Sequence, residues 1–379
     1  MKVSILIHSL AGGGAERVVS QLIGYLSEKK VDVSLVLMSE IVVYELPPNI
    51  SIFYLEKTNL KESGLLKLIK LPLLAYRYKK FLKREKITVS LSFLNRPNYV
   101  NLISKILGSK VKTFISERSN PSAQYVGASL HCRINSFLIR KTFPKADGIL
   151  ANSSGNGLEL ARNFNIAKDL ITTIYNPIDL DKVSKSIGIA DFYDNRYFNF
   201  ISVGRLNVGK NHILLLNSLK QIENKNIRLY IFGEGELKEF LQAKILELNL
   251  QDQVFLMPFS GNIFSYLKGA DAFLFGSNHE GFPNVLLEAM ACELPVITTD
   301  CPSGPKEIMK VSLSKSVDKN LRTDYGILVP VDNVDFMSDA VNEMVNDSKY
   351  YNLCKKNVII RSLDFRKDYI LDKYLDYIK

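Results

Sequence analysis

The sequence predicts an α/β protein of two doubly wound domains, each a mostly parallel sheet covered by helices on both faces. Three observations carry that reading. Apolar runs of strand length alternate with stretches of helical periodicity along most of the chain. Glycine-rich turns follow several of the runs, and from Phe198 the same alternation starts afresh. A chain of 379 residues, 46% hydrophobic and 23% charged, also suits two domains better than one.

The elements follow in order. Val3 to Ile7 reads as a buried strand, because Ser4 and His8 interrupt the apolar stretch, and glycines and Glu16-Arg17 follow where a secretory leader would have its cleavage site. Val18, Val19, Leu22, Ile23 and Leu26 then repeat at helical spacing, and Val31 to Met38 is the next strand. Further units are the strand Thr88 to Phe93, the helix Tyr99 to Leu107, the strand Lys112 to Ser116 and the apolar run Gly148 to Ala151. YNPIDLD, Tyr175 to Asp181, carries the turn residues of a boundary, giving a first domain of 1–180. The second domain, 181–363, has strands at Phe198 to Gly204, Arg228 to Phe232, Gln253 to Leu256 and Ala272 to Phe275. Its helices are His212 to Ile222, Leu237 to Leu248 and Ile263 to Lys268. The last helix, within 364–379, has Tyr369, Ile370, Tyr374, Leu375 and Ile378 as an apolar stripe and is expected to cross back to the first domain. Two such domains facing one another leave a cleft at the carboxyl ends of their strands, where ligands of these sheets bind.

Composition excludes several classes. It is near average for a globular protein and far from collagen-like or disordered chains. Cys132, Cys292, Cys301 and Cys354 lie far apart and only four histidines are present, so neither a zinc site nor a disulfide framework is expected, and a reducing compartment fits. No apolar run reaches the roughly 18 residues of a spanning helix. Charge is unevenly divided: residues 1–180 carry +12 and residues 181–379 carry −2. The densest basic stretch, Lys61 to Lys86, has nine basic and two acidic residues. Leu65, Leu66, Leu68 and Ile69 make one apolar face there; Leu74, Tyr78, Phe81 and Leu82 make another, with Arg77, Lys80 and Arg84 to one side. Two basic amphipathic helices of this kind either pack on their own domain or rest on an anionic membrane surface. Nucleic acid is not expected, since no binding motif accompanies the charge.

Four constellations could carry chemistry. Gly12-Gly13-Gly14 joins a strand to a helix, so backbone N–H groups can approach an anion at a helix N-terminus. GRLNVGK places Arg205 and Lys210 five residues apart across a loop with Gly204 and Gly209, and the two cations can converge on one diphosphate. FGEGE, Phe232 to Glu236, is a second glycine turn after a strand; it can let a ribose or base approach the backbone, or be a plain tight turn. The most specific segment is EGFPNVLLEAMACELPVITTD, 280–300. Gly281 and Pro283 hold Glu280 in a loop, and a helix begins there on which Glu288 lies among Leu286, Leu287, Ala289 and Met290. A carboxylate in such surroundings needs hydrogen-bond donors, and sugar hydroxyls supply them.

In the order and spacing of these motifs the chain resembles the retaining glycosyltransferases of family 4, over nearly its whole length. GGGAER, the SERSNP stretch from Ser116 to Pro121, NPID, GRLNVGK, FGEGE and the pair Glu280 and Glu288 carry the resemblance, and CPSGPKEI, 301–308, is similar to members that build surface polysaccharides or lipid-linked oligosaccharides. The resemblance implies the GT-B fold, two Rossmann-like domains facing across a cleft. It implies a nucleotide-sugar donor, with UDP favoured over GDP, and a glycan acceptor carried on a lipid. Arg205 and Lys210 would hold the diphosphate, Glu288 the ribose hydroxyls and Glu280 the donor sugar; Gly13, Gly14, Gly204, Gly233, Gly281, Phe282, Pro283 and Asn284 complete the donor contacts. Glu117 and Arg118 would line the pocket. Many members place a His near the reacting sugar where this chain has Glu117 and Arg118, so no base is assigned, His131 being the nearest alternative.

Asp179 and Asp181, the only Asp-x-Asp, sit in the interdomain link, so no metal and no cofactor are expected. Retention in the family is assigned to front-face attack, which needs no protein nucleophile. The expected setting is the cytoplasmic face of a membrane, with the protein peripheral. Two other readings are a nucleotide-sugar epimerase of the same fold, which would turn over donor without acceptor, and a non-catalytic protein using its basic half to bind membrane or nucleic acid.

Overall fold

The computed structural model describes residues 1–56, 63–125, 127, 129–189 and 191–379. Lys61, the first residue of the basic stretch, lies outside them. The chain forms two compact units, Met1–Pro177 with Asp368–Lys379, and Ile178–Lys367.

The first unit holds seven strands: β1 Lys2–Ile7, β2 Asp32–Leu37, β3 Ser51–Tyr54, β4 Val89–Phe93, β5 Lys112–Glu117, β6 Gly148–Ala151 and β7 Ile171–Thr173. They lie in the order β3-β2-β1-β4-β5-β6-β7, all parallel, with Val3 opposite both Val33 and Val89. Val3, Ile5, Leu6 and Ile7 of the central strand are buried, the near-continuous apolar pattern of a strand covered on both faces. Ser4 interrupts that pattern for a reason visible in the packing. Its hydroxyl meets Tyr78 (2.9 Å), which meets Ser90 (2.6 Å), which donates to Asn101 (2.8 Å). The polar positions on that face are satisfied as a buried chain of hydrogen bonds.

Helix α1, Gly14–Glu28, buries Val18, Val19, Leu22, Ile23 and Leu26 on one face of this sheet. The same core contains Ile370, Leu371, Tyr374, Leu375 and Ile378 of the helix Lys367–Ile378. Tyr369, expected in that stripe, is instead 43% exposed, and Leu371 is buried. The helix starts at 367, after a 3-10 turn at Leu363–Phe365, and its inward face keeps the other four expected residues.

The opposite face of the sheet packs on α3, Leu71–Arg84, and α4, Asn95–Ile106, while a short α2, Gly64–Ile69, precedes α3. Leu74, Tyr78, Phe81 and Leu82 are buried core, so for α3 the packing explanation of the apolar face holds. For α2 it holds only at Leu68, which packs against that core; Leu65, Leu66 and Ile69 are exposed, as are Leu73 and Tyr76 of α3.

The second unit holds β8 Phe198–Val203, β9 Ile227–Phe232, β10 Val254–Met257, β11 Ala272–Phe275, β12 Val296–Thr299, β13 Leu321–Thr323 and β14 Gly326–Val329. Their order is β10-β9-β8-β11-β12-β14-β13, parallel except for the edge pair β13 and β14. Leu214, Leu219, Leu229, Leu241, Leu274, Ile297 and Met337 lie in its core. In both sheets the order reverses beside the first strand, between β1 and β4 and between β8 and β11. Such switch points open a crevice beyond the strand ends. No helix among the described residues is long and apolar enough to cross a membrane.

Candidate active site

At the switch point of the second unit, the loops after β8 and β11 meet. The loop after β8 continues into a 3-10 turn, Val208–Lys210, capped by Asn207, whose side chain accepts from the Lys210 N–H (3.1 Å). Asn211 follows in the left-handed conformation, φ +47°, and starts the helix His212–Gln221. This geometry aims Lys210 back over the strand ends. Its stem passes 3.4 Å from where a Cβ of Gly204 would sit, and its ammonium lies 5.1 Å from the centre of the Phe275 ring.

The Lys210 Nζ donates to Glu280 Oε1 at 2.5 Å, and Ser277 Oγ donates to the same oxygen at 2.8 Å. Both side chains are largely buried, 23% and 14% exposed. Sequence motifs 70 residues apart thus meet in one charged pair. Arg205 does not join it: the side chain is exposed and pairs with no carboxylate among the described residues.

Glu288 lies buried on the helix Asn284–Ala291, with Pro283 as its N-cap. Phe282 is buried against the Phe365 ring, 5.6 Å between centroids. Gly304, at φ +94°, follows from this arrangement, because a Cβ there would come 2.5 Å from Pro283 Cδ. The CPSGPKEI segment is thereby pressed onto the loop after Glu280, and Glu280 N–H reaches the Pro302 carbonyl at 3.4 Å.

The glycines of FGEGE have a packing role. A Cβ on Gly233 would lie 1.9 Å from the Gly204 carbonyl oxygen, and one on Gly235 would lie 2.3 Å from that of Leu206. The two turns after β8 and β9 are laced together by Gly204 N–H to Phe232 O, Leu206 N–H to Glu234 O and Leu237 N–H to Leu206 O, all 2.9–3.0 Å. Close backbone approach alone requires glycine at these two positions.

Several residues escaped the sequence reading. His212 is buried beneath Lys210, its Nδ1 has no partner, and burial and the Lys210 charge push its pKa down to about 4. It is a neutral imidazole at neutral pH. Asn211 donates to Asn278 (2.9 Å) and Asp332 (3.1 Å), tying together the loops after β8, β11 and β14. Lys306 pairs with Asp300 at 2.9 Å beside the Glu280 loop. Asn, Asp and Lys in loops carry no periodic signal, so only their meeting in space distinguishes them.

In the first unit, Gly12 adopts φ +104° and Gly13 caps α1 with its carbonyl accepting from Arg17 N–H (3.0 Å) and Tyr44 hydroxyl (3.3 Å). Glu117 ends β5 and Arg118 follows; both are buried. Arg118 is committed to scaffold: it donates to Tyr374 hydroxyl at 2.7 Å and to Asn176 Oδ1, and sits over the Phe93 ring. Glu117 Oε1 accepts from Arg118 N–H (3.0 Å), Ser119 N–H (3.1 Å) and Ser119 Oγ (2.8 Å), while Oε2 has no partner. His131, the alternative base, is exposed, and its Nε2 lies 3.2 Å from Asn135 Nδ2. Asp179 caps the helix Leu180–Lys185 and pairs with Lys367 at 3.2 Å, engagements of a structural acid.

Burial raises the Glu117 pKa to about 7 against three opposing hydrogen bonds. A raised carboxyl pKa favours the folded state at low pH: the contribution is full below the unfolded value of 4.5 and is lost as pH climbs through about 7. Unfolding of the wild type and of Glu117→Gln, compared from pH 4.5 to 8.5, is expected to show the wild type losing about 3 kcal/mol relative to the variant. Parallel pH curves would show that the carboxyl does not titrate there.

A pair of Rossmann-like units, with Lys210 and Glu280 paired at the second switch point, is the framework of a GT-B transferase. The chain belongs to glycosyltransferase family 4. The family model "Glycosyltransferase Family 4" matches residues 12–182 and "Glycosyl transferases group 1" matches 192–361. The N-acetylgalactosamine-N,N'-diacetylbacillosaminyl-diphospho-undecaprenol 4-alpha-N-acetylgalactosaminyltransferase of Campylobacter jejuni is 38% identical over 100% of this chain and 99% of its own. Anabaena HepE in complex with UDP superposes with TM-score 0.78 at 16% identity, over 100% and 99% of the two chains. Sucrose-phosphate synthase of Thermosynechococcus elongatus superposes with TM-score 0.84 at 18% identity, over 100% and 98%. The GT-B fold is thereby shown, and the protein is an enzyme of hexosyl transfer.

Proposed function

We propose that this enzyme moves a sugar from a UDP-sugar, with retention of anomeric configuration, onto a glycan carried by a polyprenyl diphosphate. The observation that supports this most strongly is the end-to-end 38% identity with a transferase whose name specifies a diphospho-undecaprenol acceptor and an alpha linkage. UDP-sugars of this type are alpha-linked, so an alpha product corresponds to retention.

In this reading Lys210 and Arg205 face the diphosphate. As the bond to the anomeric carbon breaks, negative charge grows on the leaving UDP, and fixed cations lower that barrier. Lys210 exchanges its Glu280 partner for the phosphates, and the carboxylate of Glu280 turns to the donor sugar. Glu288 takes the ribose hydroxyls, and Gly13 and Gly14 approach the diphosphate through their backbone. Gly204, Gly281 and Asn284 shape that loop set; Phe282 and Pro283 anchor it. No divalent cation takes part, the single Asp-x-Asp being spent on a helix cap and the Lys367 pair.

The protein rests on the cytoplasmic face of an anionic bilayer. The exposed Leu65, Leu66, Ile69, Leu73 and Tyr76, flanked by Lys67, Lys70, Lys80, Lys83 and Arg84, match an interfacial surface of apolar side chains with a basic border.

The test is transfer from UDP-N-acetylgalactosamine to an N-acetylgalactosamine-terminated disaccharide on diphospho-polyprenol, with excess chelator throughout. Product with an alpha linkage is expected. Donor turnover without acceptor, or complete loss of activity in chelator, would overturn the assignment.

A further inference from the structure

The first unit has a switch point of its own, between β1 and β4. His8 follows β1 and Arg96 follows β4, and the parallel register, Leu6 opposite Ser92, brings both to the same edge of the sheet. Arg96 stands in the first turn of α4, where the helix end favours negative charge. Its side chain is 14% exposed and is fixed from two sides: Nη1 donates to Glu56 Oε1 (2.5 Å) and Nε to the Lys67 carbonyl (3.4 Å). Its Nη2 is buried with no partner, and so is Nδ1 of His8.

These orphans belong to a wider concentration. Twelve buried side-chain polar atoms of the described residues lack a partner, and six of them sit on residues ending or following β1, β4 and β5: His8, Asn95, Arg96, Ser116, Glu117 and Arg118. An unsatisfied buried polar atom costs about 1–3 kcal/mol, so a cluster at one sheet edge is a cost that a polar ligand removes. The His8 imidazole is held below its ordinary pKa by burial, then by Arg96 and Lys67, with Glu56 opposing. Arg96 and the first turn of α4 thus stand at the same sheet edge as His8, with the Glu56 carboxylate aiming the guanidinium.

We propose that His8, Lys67 and Arg96 form a phosphoryl-binding site that takes the diphosphate of the polyprenyl-linked acceptor. The site deepens the proposed function and rests on it for the source of the diphosphate. The guanidinium fork suits two phosphate oxygens, and Lys67 adds a mobile point charge from α2, the helix whose exposed leucines lie beside it. The sugar end of the acceptor is thereby registered from its lipid anchor, and a glycan lacking the diphosphate loses that register.

Two measurements decide it. First, inorganic pyrophosphate is titrated into the protein saturated with UDP, so that the donor site is filled. Binding is expected for the wild type, weakened at least tenfold in Lys67→Gln and in Arg96→Gln; no binding, or equal binding by the variants, overturns the site. Lys67 is a surface residue of a short helix, so its variant decides the matter if Arg96→Gln fails to fold. Second, KM is measured for the disaccharide on diphospho-polyprenol and for the same disaccharide as its methyl glycoside. Lys67→Gln is expected to raise KM at least tenfold for the first and to leave the second unchanged. Equal losses on both acceptors would make the residue merely structural, and a rise confined to the KM of UDP-sugar would assign the cluster to the donor diphosphate. Wild-type protein that binds pyrophosphate in this way yet transfers to neither acceptor would sink the proposed function and leave the phosphoryl site standing.

Discussion

Lys210→Ala is expected to lower kcat for sugar transfer by about 10²–10³, the loss typical for removing one preorganised charge from a developing anion. The geometry makes a sharper statement than the magnitude. Lys210 and Glu280 share one hydrogen bond and are both largely buried, so removing the lysine also leaves an uncompensated carboxylate, which would repel an anionic leaving group there. Glu280→Gln alone removes that repulsion. In a double-mutant cycle the Lys210→Ala, Glu280→Gln protein is therefore expected to lose less than the two single losses combined. Strict additivity would show that the pair seen here does not act as a unit. UDP affinity, measured separately by calorimetry, is expected to fall about tenfold in Lys210→Ala.

Gly233→Ala is expected to cost the second unit about 3–5 kcal/mol, near the top of what one substitution does. The added methyl would meet the Gly204 carbonyl oxygen at 1.9 Å, and that oxygen belongs to backbone, so neither partner can swing away. The turn carrying Lys210 would be displaced with it, and thermal unfolding and UDP binding should fail together. Gly261→Ala is the control: a Cβ there meets nothing within 4 Å, and its effect should stay within about 0.5 kcal/mol. Equal Tm values for the two variants would remove the packing explanation of FGEGE.

How much of this could be read from the residues follows from how each element is stabilised. β1, β4 and β11 are buried on both faces and show as apolar runs. β3 and β7 are edge strands of four and three residues, with SIFY mostly exposed and ITT half-buried, so no apolar run marks them. The Glu280 and Glu288 segment stood out because a carboxylate among leucines is chemically conspicuous. His212, Asp300 and Asp332 did not, since each acquires its meaning only from a partner distant in sequence. For Arg118 the motif drew attention to the residue, but not to its contacts: its guanidinium holds Tyr374 and Asn176 together, inside the first unit.

The twelve residues Asp368–Lys379 complete the hydrophobic interior of a unit that otherwise ends at Pro177. During synthesis, the first 177 residues thus leave the ribosome lacking Ile370, Leu371, Tyr374, Leu375 and Ile378, and must wait for the whole second unit and then this last segment to be made before their interior can close. The later-made unit can reach its native state first, reversing the usual amino-to-carboxyl sequence of vectorial folding. Nascent chains stalled before residue 368 should accordingly present an unfinished, chaperone-recognised surface in their oldest part.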